Sequence, residues 1–228
     1  MTRPAVVAPL VVALLGLAAC TGPGSGTPAP TAAASAPPAA AQLATLLAAD
    51  PQAAYTASYT LAATTGNEGR QATVEVRRLG AAFRLDLRTG GAVSTYVLGA
   101  AGAFACRTSG ANTSCFTAPG GGTAPPTPGG LLDPGLQRVF LALPELLATT
   151  GPALQVARAG TAPRPGGTSA PCYAVSGPGV DAGTYCYDER GVLVRAVFPT
   201  GRLDLVKVGP APVPGDFTPP VAPTPLPG

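Results

Sequence analysis

The chain has 228 residues, of which 11% are charged, 30 are Gly and 28 are Pro. Its net charge of +3 comes from residues scattered along the chain without a basic run, which excludes the dense positive surface that nucleic-acid binding requires. The chain has no His, one Lys and no G-x-S-x-G motif, so the usual nucleophile and base pairs are missing. We therefore expect no enzyme activity and no cofactor.

Residues 1–19 have the three parts of an export signal: a basic Arg3, an apolar run and small residues before the expected cut. The apolar run is shorter than the roughly 20 residues that span a bilayer. Leu17-Ala18-Ala19-Cys20 resembles the lipobox of bacterial lipoproteins. This resemblance implies that a signal peptide over 1–19 is removed and that Cys20 carries a lipid anchor at the extracytoplasmic face of the cell membrane. The alternative is an ordinary secretory signal followed by an incidental Cys.

Composition divides the rest of the chain. After Cys20, residues up to 40 are Thr, Gly, Ser, Ala, Pro and no charged residue, which predicts a disordered tether over 20–40. All twelve aromatic residues follow the signal, and eleven of them lie between Tyr55 and Phe198. We therefore expect one folded domain over 41–209 and an unstructured Pro-rich tail over 210–228.

Periodicity predicts a helix and six strands in the first half of this domain. The helix is expected over 41–49, where Leu43, Leu46 and Leu47 lie on one side. Alternation of apolar and polar residues predicts strands at 55–61, 72–77, 83–88, 92–98, 103–108 and 113–116.

The second and third of these strands are predicted to form a hairpin about Leu79-Gly80. The predicted neighbours are Val76 with Phe83, Val74 with Leu85, and Glu75 with Arg84. This pairing places every apolar residue of the two strands on one face. Arg77, Arg84 and Arg88 then lie on the opposite face, where we favour solvation over contact with anionic headgroups.

A longer helix and five more strands are predicted next. Asp133-Pro134 is typical of a helix start, and Leu136, Val139, Phe140 and Leu143 share one face of that helix. Pro144 is expected to end or kink it. The strands are expected at 154–158, 172–176, 184–187, 192–198 and 202–208. Asp188 and Glu189 fall in a predicted turn, and a solvated hairpin tip is favoured there over an acid/base pair.

Four Cys residues remain after Cys20, an even number in an exported chain, which predicts two disulfides. Three connectivities are possible, and local geometry favours Cys106 with Cys115 and Cys172 with Cys186. A two-residue turn at Gly110-Ala111 puts the first pair opposite each other at a non-hydrogen-bonded site of a hairpin. Each closed loop would contribute about 3 kcal/mol. The rival reading, a four-Cys metal site, lacks C-x-x-C spacing and His, so we expect no metal.

Several stretches together resemble the LolA/LppX-type superfamily of bacterial lipid carriers, and especially the actinobacterial LprG/LppX lipoproteins. They are the lipobox with its tether, the hairpin from Arg77 to Leu85, the Asp133-Pro134 helix, and the closing run from Gly191 to Pro220. The resemblance covers roughly residues 41–219. It implies an α+β fold in which a curved antiparallel sheet, a half-barrel, has its concave face covered by one or two helices and can hold acyl chains. Those carriers generally lack two hairpin disulfides, and this chain has many Ala at inner positions.

Two functions of different class follow from these observations. The first is a membrane-anchored lipoprotein, held through lipid on Cys20, that binds or carries a lipid or lipoglycan in the half-barrel. The second is an envelope protein-interaction or sensory module with the same fold and no lipid ligand. For the first, the expected apolar lining is Val74, Val76, Phe83, Leu85, Tyr96 and Phe140, although each of these residues also suits an ordinary core.

Overall fold

The computed structural model describes residues 38–63, 71–100, 102–117, 134–149 and 153–225. The expected signal peptide, Cys20, almost all of the expected tether and the expected helix cap Asp133 lie outside these ranges. Within them the chain is an α+β domain built on one large open sheet, which confirms the predicted class. No helix in these ranges is long and apolar enough to cross a membrane.

The secondary structure follows the predicted order closely. The helices are α1 (Ala39–Ala49), α2 (Pro134–Gln137) and α3 (Leu143–Thr149). The strands are β1 (Ala54–Ala63), β2 (Gln71–Leu79), β3 (Ala82–Thr89), β4 (Ala92–Gly99), β5 (Gly102–Ser109), β6 (Asn112–Thr117), β7 (Gln155–Pro163), β8 (Ser169–Ser176), β9 (Gly183–Tyr187), β10 (Leu193–Phe198), β11 (Gly201–Gly209) and β12 (Thr224–Pro225).

Sequence neighbours pair throughout most of the sheet. The strand order is β12-β6-β5-β4-β3-β2-β1-β11-β10-β9-β8-β7, and every neighbouring pair is antiparallel except β12 with β6. Two neighbouring pairs join strands far apart in the chain: β12 with β6, and β1 with β11, which unites the two predicted blocks of strands into a single sheet.

The hairpin of β2 and β3 has a different register from the predicted one. Its turn is Gly80-Ala81, so Val76 faces Leu85 and Arg78 faces Phe83. Gly80 has a φ of 59°, the left-handed conformation that a tight hairpin turn requires and that Gly adopts without strain. The predicted pairs are wrong by two positions. The predicted face is nevertheless right, because a shift of two residues returns each side chain to its own side of the sheet.

The inner face of the sheet is the one that packs against the helices. Phe140 of the helical segment contacts Tyr59 and Phe83 of the sheet, with ring centroids 5.6 and 6.4 Å apart. The side chains that the helices contribute to this core are Leu43, Leu47, Leu136, Val139 and Leu143. The predicted apolar faces of both helices are thus confirmed.

Residues 134–149 form one continuous helical segment, which we call the covering helix. Between α2 and α3 it contains a π-helical turn, Arg138–Ala142, where the N–H of Leu143 donates to the carbonyl of Arg138, five residues back. Pro144 does not end the covering helix. The π-helical turn, which is wider than an α-helical one, ends two residues before Pro144. Pro144 has no N–H to donate, and its ring crowds the carbonyl four residues earlier.

Residues 210–225, which we call the C-terminal strap, lie across the outer face, so the prediction of an unstructured tail is wrong for them. Arg84 Nη1 donates to the carbonyl of Asp216 at 2.8 Å. Phe217 is 6% exposed and packs with Val97, Phe104 and the Cys106–Cys115 disulfide in a second, outer core. β12 at the end of the strap adds to the edge of β6.

Replacing Phe217 with Ala is expected to lower the free energy of unfolding by about 3 to 5 kcal/mol, because a large buried side chain is removed from a packed core. Urea denaturation measures this loss. Val213→Ala is the matched control, since Val213 lies on the same strap and is 62% exposed. Equal effects of the two substitutions would mean that the strap does not hold the outer core together.

Both predicted disulfides are confirmed. Cys106 pairs with Cys115 between β5 and β6, and Cys172 pairs with Cys186 between β8 and β9, each with Cα atoms 4.0 Å apart. In both cases the two residues face each other directly across neighbouring strands. The Cys106–Cys115 disulfide packs with Val97 and Phe104 on the outer face, whereas Cys172 and Cys186 belong to the main core.

Candidate functional site

A charged pair lies inside the domain, at the junction of α1 and the sheet. Arg78 comes from the end of β2, and Asp50 follows α1. Arg78 Nη2 donates to Asp50 Oδ2 at 2.5 Å, and the hydroxyl of Tyr55 donates to Asp50 Oδ1 at 2.5 Å. The guanidinium of Arg78 also lies 4.8 Å from the ring centre of Phe83. The carboxylate therefore has a donor on each oxygen.

The alternation of β2 explains why an Arg points inward. Arg78 has the same parity as Val74 and Val76, which are fully buried, and it faces Tyr55 on one side and Phe83 on the other. Arg78 is 9% exposed and Asp50 is 7% exposed. A charged group this deeply buried is stabilised by an opposite charge beside it, so Arg78 and Asp50 each need the other.

Three more polar atoms nearby have no hydrogen-bond partner within the described chain. They are the hydroxyls of Tyr59 and Tyr187 and the Nε of Arg78, all of them buried. Burial raises the pKa of Tyr59 and of Tyr187 well above the usual value, so both hydroxyls keep their protons and can donate. Unsatisfied polar atoms at this depth are uncommon in folded proteins.

A small, partly open cavity lies beside the charged pair. Its volume is about 20 Å³. The residues around it come from α1 and the turn after it, the covering helix, and strands β1, β2, β3, β9 and β10. They are Leu47, Asp50, Tyr55, Arg78, Phe83, Val139, Phe140, Pro144, Tyr187, Gly191 and Leu193. We call this space the mouth cavity. A space of this size holds about one water molecule, since one water needs roughly 10–15 Å³ measured in this way.

The six predicted lining residues are all buried on the inner face. Phe83 and Phe140 line the mouth cavity, whereas Val74, Val76, Leu85 and Tyr96 lie in the packed core. The rings of Phe83 and Tyr96 are 6.3 Å apart, in contact distance for an aromatic pair. The mouth cavity is too small for an acyl chain, and the rest of the inner face is filled by packed side chains.

Asp50, Arg78, Tyr55 and Tyr187 were not among the predicted site residues. One signal in the sequence could have found Arg78: it continues the inward-facing series of Ala72, Val74 and Val76. A charge on an apolar face needs a partner inside the fold. Asp50 had no comparable signal, because its place depends on how α1 packs on the sheet.

Asp188 is buried rather than solvated, so the prediction of a solvated hairpin tip is wrong for it, whereas Glu189 is exposed. Asp188 Oδ1 accepts hydrogen bonds from the backbone N–H groups of Arg190 and Val192, and Oδ2 forms ion pairs with Arg164 and Arg190. This is the pattern of a side chain that closes its own turn. Its role is structural.

Two of the three arginines expected to be solvated on the outer face belong to an ion-pair cluster. Arg84 binds both oxygens of Asp86, at 2.8 and 3.0 Å, and Arg77 pairs with Glu75. Asp86 is fully buried and also accepts a hydrogen bond from Thr95 at 2.5 Å. Arg88 is exposed, as predicted. The guanidinium groups of Arg77 and Arg84 are thus engaged within the fold.

A second, open groove of about 610 Å³ lies at the edge of the sheet where β7 begins and β8 ends. Its walls are small and uncharged: Gln155, Val156, Ala157, Ala174, Val175, Ser176, Ala182, Gly183 and Thr184. β7 is an edge strand, and most of its residues are exposed.

The chain matches no family model and no curated protein sequence.

Proposed function

We propose that this protein is a membrane-anchored extracytoplasmic lipoprotein, held by lipid on Cys20, whose half-barrel binds a lipid or lipoglycan between the inner face and the covering helix. The observation that carries the proposal is the extent of the apolar inner face. It runs across β1–β5 and β8–β11, and within the described ranges two short helical segments cover it. Each methylene of an acyl chain bound there would contribute about 0.8 kcal/mol.

Binding in this proposal requires the covering helix to move, because the mouth cavity is small. Two features make the covering helix the segment that moves. Its π-helical turn interrupts the regular hydrogen-bond ladder, and Pro144 next to the turn has no N–H to donate. Its inward residues Val139 and Phe140 already line the mouth cavity, so a small outward shift enlarges that space directly.

Native mass spectrometry of the full chain carrying Cys20→Ser tests the proposal. This substitution removes the covalent lipid, so any further mass belongs to a non-covalent ligand. We expect one lipid per chain, retained under native conditions and lost when the same sample is denatured. A spectrum with the protein mass alone, from cells and after incubation with envelope lipids, would refute lipid binding.

The second candidate is an envelope protein-interaction module that carries no lipid. The filled inner face and the open groove beside β7 favour it, because an exposed edge strand next to a groove can accept an extended segment of another protein. This candidate predicts no lipid in the spectrum. It also predicts that Ala174→Arg, inside the groove, weakens binding to the partner, whereas Thr60→Arg on the outer face of β1 leaves it unchanged.

A further inference from the structure

The sheet ends at β7 on one side, and this edge differs from the opposite one. At the opposite edge, β12 of the C-terminal strap pairs with β6. Most residues of β7 are exposed, and no segment of the described chain pairs with the side of β7 that faces away from β8. Such an edge presents unpaired N–H and C=O groups, which can pair with a strand of another chain.

The pairing of β8 with its neighbours determines which backbone groups of β7 are free. Cys172 and Cys186 face each other with Cα atoms 4.0 Å apart, the narrow spacing of a pair that exchanges no backbone hydrogen bonds. The backbone groups of Cys172 therefore point toward β7, and so do those of Ala174, because the direction alternates along a strand. Ala174 faces Ala157, so Ala157 bonds to β8 and its two neighbours in β7 direct their backbone groups away from β8.

These neighbours are Val156 and Arg158, and the surface around them is open to another strand. The guanidinium of Arg158 lies 5.0 Å from the ring centre of Tyr173, which draws this side chain back over β8. The groove beside β7 has uncharged walls, so it repels no approaching chain. Farther along, a bulge with Gly160 at a φ of 91° bends β7, and the regular part of the edge is therefore residues 155–158.

A second copy of β7 satisfies these free groups. When two copies run antiparallel about a twofold axis at Ala157, Val156 of each copy faces Arg158 of the other, and each facing pair exchanges both of its N–H···O bonds. The two Ala157 residues form the narrow pair between them, where their small side chains fit. An axis at Arg158 would instead place like charges opposite each other. The axis at Ala157 is thus the register in which both free residues of each copy find an uncharged or oppositely shaped partner without repulsion.

We infer that β7 is a self-association surface, through which two copies of this chain pair edge to edge about a twofold axis and join their sheets. The inference goes beyond the proposed function, because it does not depend on what the inner face binds. A closed twofold pair leaves no free edge at β7 for further growth. Two short strands bury little surface compared with the roughly 800 Å² per partner of a stable interface, so we expect the dimer to dissociate on dilution.

A cysteine at the twofold axis tests the register. Ala157→Cys is made in the full chain that carries Cys20→Ser, in which the four remaining native cysteines form the two disulfides. We expect a covalent dimer on a non-reducing gel, because the facing Cα atoms of a narrow pair are within disulfide reach. Gln155→Cys is the matched control: Gln155 is also exposed in β7, but its two copies would lie roughly 14 Å apart. Equal cross-linking of the two variants would overturn the inference.

Arg158→Pro tests the hydrogen bonds. Pro removes an N–H that faces away from β8, so the sheet keeps its own hydrogen bonds whereas the dimer loses half of its own. Sedimentation equilibrium of the Cys20→Ser full chain should show a monomer–dimer equilibrium, and Arg158→Pro should weaken it by about tenfold or more. Arg158→Ala keeps the N–H and is the control, so it should associate at least as well as the parent.

Thermal unfolding of both variants near the temperature of the parent would show that the fold is intact. Undiminished association of Arg158→Pro would overturn the inference, because the edge hydrogen bonds would then not hold the dimer. A parent chain that stays monomeric at every concentration and gives no covalent dimer as Ala157→Cys would overturn it as well. The edge at β7 would then be left to an extended segment of another protein.

Discussion

Replacing Cys20 with Ser is expected to move the protein from the membrane fraction to the soluble fraction, or to leave it as an uncleaved precursor. In the proposed anchor the lipid is attached to the thiol of Cys20, and Ser offers no thiol. Two or more acyl chains hold a protein on a membrane firmly, whereas a protein without them has only its own surface for contact. Fractionation of cells followed by immunoblotting measures the change.

Thr21→Ser is the control for this experiment, since it makes a similarly small change one residue beyond the Cys and should leave the protein on the membrane. Mass spectrometry of the parent provides the second readout and should find the lipid on an N-terminal Cys20. Cys20→Ser protein that stays membrane-bound at its mature size would contradict lipid anchoring.

Replacing Arg78 with Met is expected to lower the free energy of unfolding by about 3 to 5 kcal/mol, because Asp50 keeps a buried charge and loses its cation. Met is shorter than Arg but keeps an unbranched apolar stem, so the change removes the charge and the hydrogen bonds and retains much of the packing of the stem. Urea denaturation of the folded chain measures the loss. The effect is large against the roughly 5–15 kcal/mol that stabilise an ordinary domain.

A second substitution distinguishes loss of the pair from loss of Arg78 itself. The double variant that carries both Arg78→Met and Asp50→Asn no longer has the isolated charge. It should recover a large part of the lost stability, because the effects of substitutions at two contacting residues do not add. Arg202→Met is the control: its ion pair with Asp204 is on the surface, with the Arg side chain 48% exposed, and its loss should cost less than about 1 kcal/mol. Similar losses for Arg78→Met and Arg202→Met would contradict a buried, mutually dependent pair.

The strands were predictable because a strand exposes alternate residues to one face, and that rule needs no knowledge of what the face contacts. The predicted hairpin of β2 and β3 illustrates both the strength and the limit of the rule. Val74, Val76, Phe83 and Leu85 were assigned to the buried face correctly. Their partners were wrong by two positions, because alternation repeats every two residues and cannot distinguish registers that differ by two.

The site was less predictable than the sheet. Phe83 and Phe140 were identified as inner-face residues from their place in an apolar pattern, and they line the mouth cavity. Asp50 was not identified, because a lone acidic residue at the end of a helix usually faces water. Its burial follows from the docking of α1 beside Arg78, a contact between residues 28 positions apart in the chain.

The C-terminal strap and the covering helix were mispredicted for related reasons. Pro-rich composition argues against regular structure, yet Phe217 packs into the outer core because the sheet presents Val97 and Phe104 to it. Pro144 argues against a continuing helix, yet the helix and its packed face continue past Pro144. A π-helical turn accommodates the proline. In both segments tertiary packing outweighs local preference.

By itself, the amino-acid sequence determined the positions of β1–β11, the buried face of β2 and β3 and the two disulfides, because alternation and hairpin spacing are local properties of the backbone. Only the tertiary structure decided which strands lie side by side across the long-range step from β1 to β11, that Asp50 and Arg78 meet inside, and that residues 210–225 close the outer face. These contacts join residues far apart in the chain, and their free energy comes from burial and charge pairing that exist only once the sheet has formed.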